Sequence, residues 1–199
     1  MKKVISGSGK FEFKVKDGES LKLYLIQDES CESEVEIVLG KNSRADVFTL
    51  SMGGKIINKL QVELSGKGAA AALSGLMISD GKEIIENHTF VRHKVGRTTS
   101  NQIYKSILGG HSMGVFDGKI RVEKGADKTH AYQLNKNILM SDDATMNSKP
   151  QLEIFAEDVN CTHGATTGQI DREAIFYLKA RGIGEDEART ALTQLSGIF

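Results

Sequence analysis

Over most of the chain, apolar and polar residues alternate with a period of two. Phe11, Phe13 and Val15 alternate with charged residues, Asp17-Gly18 interrupts, and Leu21, Leu23 and Leu25 resume the alternation. Successive side chains of a strand point to opposite faces, so this pattern predicts half-buried strands separated by turns. Comparable runs follow at residues 35–39, 47–50, 56–64, 73–79, 84–91, 102–108, 115–122, 129–139 and 152–155. Turn signals punctuate them at Gly40, Gly53-Gly54, Gly66, Asp80-Gly81, Gly109-Gly110, Asp117-Gly118 and Gly125. No 3.6-residue stripe competes here, and residues 1–170 are expected to form one all-β body.

After residue 170 the period changes. Asp171 is a good N-cap, and "REAIFYLKAR" follows with Ile175, Leu178 and Lys179 at helical spacing. Gly182 stops that helix as a C′ residue would. A second helix is expected from "GEDEAR", where Glu185, Asp186 and Glu187 suit the positive end of its dipole. Ala188, Leu192 and Leu195 form its apolar stripe. Residues 171–199 thus form a helical tail too small for its own core, which must dock on the β-body or on another protein.

Strands at this spacing with glycine turns fit both a sandwich and a β-helix. "LSGKGAAAALSG" (64–75) and "LGGHSMGVFDG" (108–118) share a Leu-x-Gly corner followed by small residues. Stacked coils need such corners, because successive turns approach at a strand spacing of about 4.8 Å. The pattern alone leaves both architectures open.

Composition narrows the function classes. The 199 residues are 39% hydrophobic, and Lys+Arg and Asp+Glu each number 26, giving a formal net charge of zero. That balance disfavours a nucleic-acid binder held by bulk charge. No apolar run approaches the roughly 20 residues that span a bilayer, and Ser6-Gly7-Ser8-Gly9 interrupts any signal-like segment. A cytoplasmic location without a membrane partner is expected. Two cysteines, Cys31 and Cys161, are too few for a disulfide-stapled scaffold.

Cys161 and His163 stand two residues apart in "DVNCTHGATTGQID" and share a strand face. Leu152 and Ile154 have the opposite parity and look like core, which places the pair on the less buried side. A stable metal site needs about four ligands, and no CxxC or HxxxH supplies the rest. Three readings remain: a surface thiol beside an unrelated imidazole, half of a metal or cluster site completed by a second subunit, or a nucleophilic pair. His88 and His93 fall on opposite faces, His111 in a turn and His130 within a strand. Cys31 lies among Glu29, Glu32 and Glu34, which would raise its thiol pKa. "SGSG" and "HSMGVFDG" lack the Lys-Ser/Thr of a phosphate loop. Asp142-Asp143 and Glu157-Asp158 read as solvated loop charges. A structural or carbohydrate-interacting β-helix without metal chemistry is the other function class; 6% aromatic residues and no Trp give it little to bind sugars with.

From about residue 64 to 189, the chain resembles the SufB/SufD family of iron–sulfur cluster assembly proteins. "KPQLEIFAEDVNCTHGATTGQID" and "FYLKARGI" carry the likeness most specifically. It implies a right-handed parallel β-helix followed by C-terminal helices. It further implies a non-catalytic scaffold whose members pair through their β-helices, as SufB with SufD, and dock a SufC-like ABC ATPase on the helical tail. On that pattern Cys161 and His163 would hold an iron–sulfur cluster or iron shared across a subunit interface. Phe176, Tyr177, Leu178, Arg181, Gly182, Glu187 and Ala188 would contact the ATPase. "NKNILMSDDA" lacks the cysteine of SufB-type members, so SufD-like is the closer label. The partner is then a SufB-like subunit or a second copy of this chain. Members typically run longer and carry an N-terminal helical region, so a truncated form is expected.

Overall fold

The computed structural model describes residues 1–195; the Leu195 side chain, expected on the second helix's apolar stripe, and residues 196–199 lie outside it. Thirteen strands precede two helices. The odd strands are β1 (Lys2–Ile5), β3 (Ser20–Gln27), β5 (Arg44–Met52), β7 (Ala70–Ser79), β9 (Thr99–Leu108), β11 (Thr129–Leu139) and β13 (Val159–Gln169). The even ones are β2 (Gly9–Val15), β4 (Cys31–Leu39), β6 (Lys55–Leu64), β8 (Ile84–His93), β10 (Met113–Val122) and β12 (Thr145–Ile154). Helices α1 (Arg172–Ala180) and α2 (Glu185–Leu195) close the described chain.

Odd strands build a seven-stranded sheet and even strands a six-stranded one, with every pairing parallel. One odd and one even strand make one coil, so the β-body is a two-sided parallel β-solenoid and the sandwich alternative falls. Coils lengthen along the chain. Ser20 lies opposite Arg44, a step of 24 residues, whereas Thr99 lies opposite His130, a step of 31. Longer strands account for part of this, since β3 has 8 residues and β11 has 11.

The period-two alternation puts one row of each strand between the sheets. In the early coils that row is aliphatic: Leu21, Leu23, Leu25, Val35, Ile37 and Leu39 are all buried. Later it turns polar, with Gln102, Ser106, Gln133, Asn135 and Asn137 equally buried. Side chains pair within this interior, along the six-stranded sheet and between the two sheets. Ser33 donates to Asn58 at 2.8 Å, Asn58 to Asn87 at 3.0 Å, and Thr89 to Gln102 at 2.9 Å.

Corners show why small residues recur. A Cβ on Gly66 would come within 2.1 Å of the Lys41 backbone nitrogen of the coil below, so only glycine allows that approach. The two Leu-x-Gly corners are nonetheless not one repeated position. Leu64 ends β6 of the six-stranded sheet, and Leu108 ends β9 of the seven-stranded sheet, so they lie on opposite edges. Asp117-Gly118, which reads as a turn, is mid-strand in β10. Gly118 faces inward there, and a Cβ would meet the Gln133 amide nitrogen at 2.5 Å.

The tail folds as its capping residues predict. The Asp171 carboxylate accepts from the backbone N–H groups of Glu173 and Ala174, and Gly182 takes φ +87° just after the Arg181 C-cap. Ile175 is buried. Arg189 holds α2 to the solenoid by donating to the Met140 carbonyl at 2.9 Å, and it also pairs with Glu185.

Candidate functional site

Strand β13 is the last rung of the seven-stranded sheet: it pairs with β11 on one side, and no described strand pairs with its other edge. Cys161 lies opposite Ala131, and His163 opposite Gln133. Paired residues of neighbouring parallel strands share a face, and Ala131 and Gln133 are buried, so Cys161 and His163 belong to the inward row. The placement on the less buried side is therefore corrected. Parity does not carry across the turn at residues 155–158, so Leu152 and Ile154 of β12 are inward as well, stacked on Ile120 and Val122.

Being inward on the last coil does not mean being covered. Cys161 is half-buried and His163 exposed. Ile154, on the inward row of the neighbouring terminal strand β12, is 41% exposed, and Phe155 just beyond it stacks on the outward Arg121. Leu152, Val159 and Cys161 pack against the core from the rim. The site is thus the open end of the solenoid, an apolar rim carrying one thiol and one imidazole. Residues two apart on a strand are separated by about 6.6 Å along the chain, close enough for both side chains to reach one bound group.

Electrostatics bear on the thiol. Burial pushes the Cys161 pKa up, and a hydrogen bond with the Ala131 backbone partly opposes this. Ligation would therefore release a proton from the thiol. Below His163, Gln133 is fully buried with neither amide atom hydrogen-bonded, and Gln102, one rung further in, has an unpartnered amide nitrogen. Nothing local in the sequence marks Gln133; only the register brings it beneath His163.

Thiolate and imidazole form a donor set suited to iron. No group of three or more His, Cys, Asp or Glu that could hold a metal ion occurs among the described residues. Two such side chains are at most half of the about four ligands that a cluster needs.

Other candidates are placed apart from this end. His88 is outward on β8, 2.9 Å from Glu86, and His93 is buried on the opposite face. His111 lies in a turn, and His130 is outward on β11. Cys31 is buried, and burial raises its pKa more than its acidic neighbours do. Arg172 pairs with Asp142, tying α1 to the 140–144 loop.

Of the tail residues, Phe176 and Tyr177 are 74% and 58% exposed, and Arg181 stacks over the Tyr177 ring at 5.1 Å. Gly182 and Glu187 are exposed and Leu178 is half-buried. Ala188 is buried and shapes the helical pair from within. A cleft of about 680 Å³ runs between α1, α2 and the 139–143 segment.

Comparisons with known proteins identify relatives of the chain. The family model described as "SUF system FeS cluster assembly, SufBD core domain" matches residues 6–194. The chain is 35% identical to the iron–sulfur cluster assembly protein SufD of Escherichia coli, over 77% of this chain and 37% of that protein. It is 33% identical to a SufBD family protein of Synechocystis, over 78% and 35% of the two chains. A SufBD family protein of Mycobacterium leprae is 31% identical, over 79% and 42%. The chain thus spans well under half the length of these relatives. The match over nearly the whole chain, carried by a parallel solenoid body, assigns it: the chain belongs to the SufBD core-domain family of the SUF iron–sulfur cluster assembly system.

Proposed function

We propose that this chain is a non-catalytic, SufD-like scaffold subunit of cytoplasmic iron–sulfur cluster assembly. Cys161 and His163 form half of a site for iron or a nascent cluster at a subunit interface. The partner, a SufB-like chain or a second copy, docks on the free edges of β12 and β13 and supplies the other ligands. The α1–α2 pair is the docking surface for a SufC-like ABC ATPase, with Phe176 and Tyr177 as its anchors.

One observation carries the reading. The two ligand-type side chains sit in the inward row of the terminal coil, so whatever caps that end meets both of them. Exposed Ile154 gives the same end an apolar surface to bury. An open strand edge beside it offers backbone groups for a partner strand. In the tail, two largely exposed aromatic side chains on one short helix resemble the anchors of an interface hot spot.

Anaerobic reconstitution with ferrous iron and sulfide, in the presence of the SufB-like partner, tests the site. Cluster absorbance is expected to fall several-fold in Cys161→Ala and His163→Ala. An unchanged yield in both variants would remove the site assignment.

A further inference from the structure

The two outer faces of the solenoid differ in chemistry. The six-stranded sheet presents paired charges to solvent, among them Lys59–Glu32, Arg92–Glu123 and Lys119–Glu153. The seven-stranded sheet presents an apolar field. Its outward columns run Leu50–Leu76, Ile103–Leu134 and Met52–Ile78–Ile107–Ile138 through the ladder register. Phe48 and Ile78 there are each 37% exposed. Contiguous apolar area of this kind marks an interaction site on a soluble protein.

Two features of the same face say what covers it. One is charge. Lys105 and Lys136 occupy adjacent rungs of one column, directly beyond Leu50 and Leu76. Like charges side by side in a sheet are unfavourable, and neither lysine makes an ion pair among the described residues. A carboxylate from outside would neutralise both. The other is continuity. The chain's own amphipathic helix α2 lies at the corner of this face, with Leu192 beside Ile138 and Thr193 donating to the Met140 sulfur. Ile138 is consequently 7% exposed, against 37% for Ile78 in the same column. The surface α2 begins to cover continues uncovered toward β5.

We propose that the outer face of the seven-stranded sheet docks an amphipathic α-helix of a partner protein. The helix lays its apolar side on Phe48, Leu50, Leu76, Ile78 and Ile103 and sets a carboxylate against Lys105 and Lys136. A second copy of this chain, face to face, would bring more lysine to the lysine pair. From β3 to β11 the face extends about 19 Å, which a helix of roughly 13 residues spans. This surface is separate from the Cys161/His163 end and from the exposed aromatics of α1.

Fluorescence anisotropy with a labelled synthetic helix of about 14 residues, leucines on one side and glutamates on the other, tests this on the full chain. The glutamate peptide is expected to bind, and its lysine counterpart to bind about tenfold more weakly or not at all. Leu76→Glu with Ile103→Glu, and separately Lys105→Glu with Lys136→Glu, are each expected to weaken the glutamate peptide about tenfold or more. Phe90→Glu on the other sheet is expected to leave it unchanged. Circular dichroism checks that each variant is folded, and the lysine variants keep the test decisive if the apolar ones unfold. Equal binding of both peptides, or binding indifferent to the lysine variants, overturns the proposal. So would co-sedimentation with anionic phosphatidylglycerol vesicles in place of peptide binding, or self-association abolished by the same variants.

Discussion

Of the five histidines, His93 is the one buried in the interior, with Nδ1 2.7 Å from the Thr98 hydroxyl and Nε2 2.9 Å from the Ser100 hydroxyl. Burial lowers its pKa from 6.5 to about 4. The unfolded chain therefore binds a proton that the folded chain refuses between those two values. Stability from this group is fully present above pH 6.5 and is lost as pH falls toward 4, by about 3 kcal/mol in all. Urea unfolding from pH 7 to 4 should show that slope, and His93→Gln should flatten it. A second interior position is set by size. Gly118→Ala puts a methyl group 2.5 Å from the Gln133 amide and 2.6 Å from the Phe116 ring, and should cost about 1–3 kcal/mol by the same measurement. A Gly118→Ala variant as stable as the parent would mean the interior yields there. Gly118 also shows a limit of reading from sequence. Asp-Gly is a local turn signal, whereas the need for glycine here comes from a side chain one sheet across, and nothing within several residues records it.

At the scale of elements, most of the architecture was legible because each strand buries one face only. Alternation therefore located the strands from β2 to β11 and the end of β12, and the change to helical spacing located α1 and α2 with their caps. The short β1, the first part of β12 and all of β13 escaped it, and β13 matters most for the site. Its residues Cys161, Thr162, His163, Gly164, Ala165 and Thr166 do not alternate in polarity, because no described coil lies beyond them and the inward row is not sealed. The same cause hid the orientation of Cys161 and His163. Parity fixes a face only within one strand, and the turn at 155–158 resets it. Attachment of the tail was equally unreadable, since one of its ties is to a backbone acceptor. Arg189 reaches the Met140 carbonyl, and Arg189→Ala should loosen α2 on the solenoid at a cost of about 1–2 kcal/mol. Hydrogen exchange is expected to accelerate in α1 and α2 with protection in β5 to β9 unaltered. Loss of protection throughout the chain would show instead that the tail is integral to solenoid stability.

At the scale of the whole molecule, a solenoid is a stack in which each coil is held by its neighbours, so its stability is close to a sum of nearest-neighbour terms. Interior coils have two neighbours; the last has one. In this chain the last coil is also the one with the exposed apolar rim and the two ligand-type side chains. Exposure there lowers local stability, and it is the condition for a partner to add a coil's worth of contacts. Amide exchange should therefore run as a gradient, slowest in β5 to β9 and fastest in β13. Within β13, N–H groups directed at β11 should be protected and those directed at the open edge should exchange freely. Addition of a subunit that pairs with the terminal strands should slow that second set selectively. A partner that docks elsewhere would leave the alternation in β13 intact, and the proposed half-site would then have no second half.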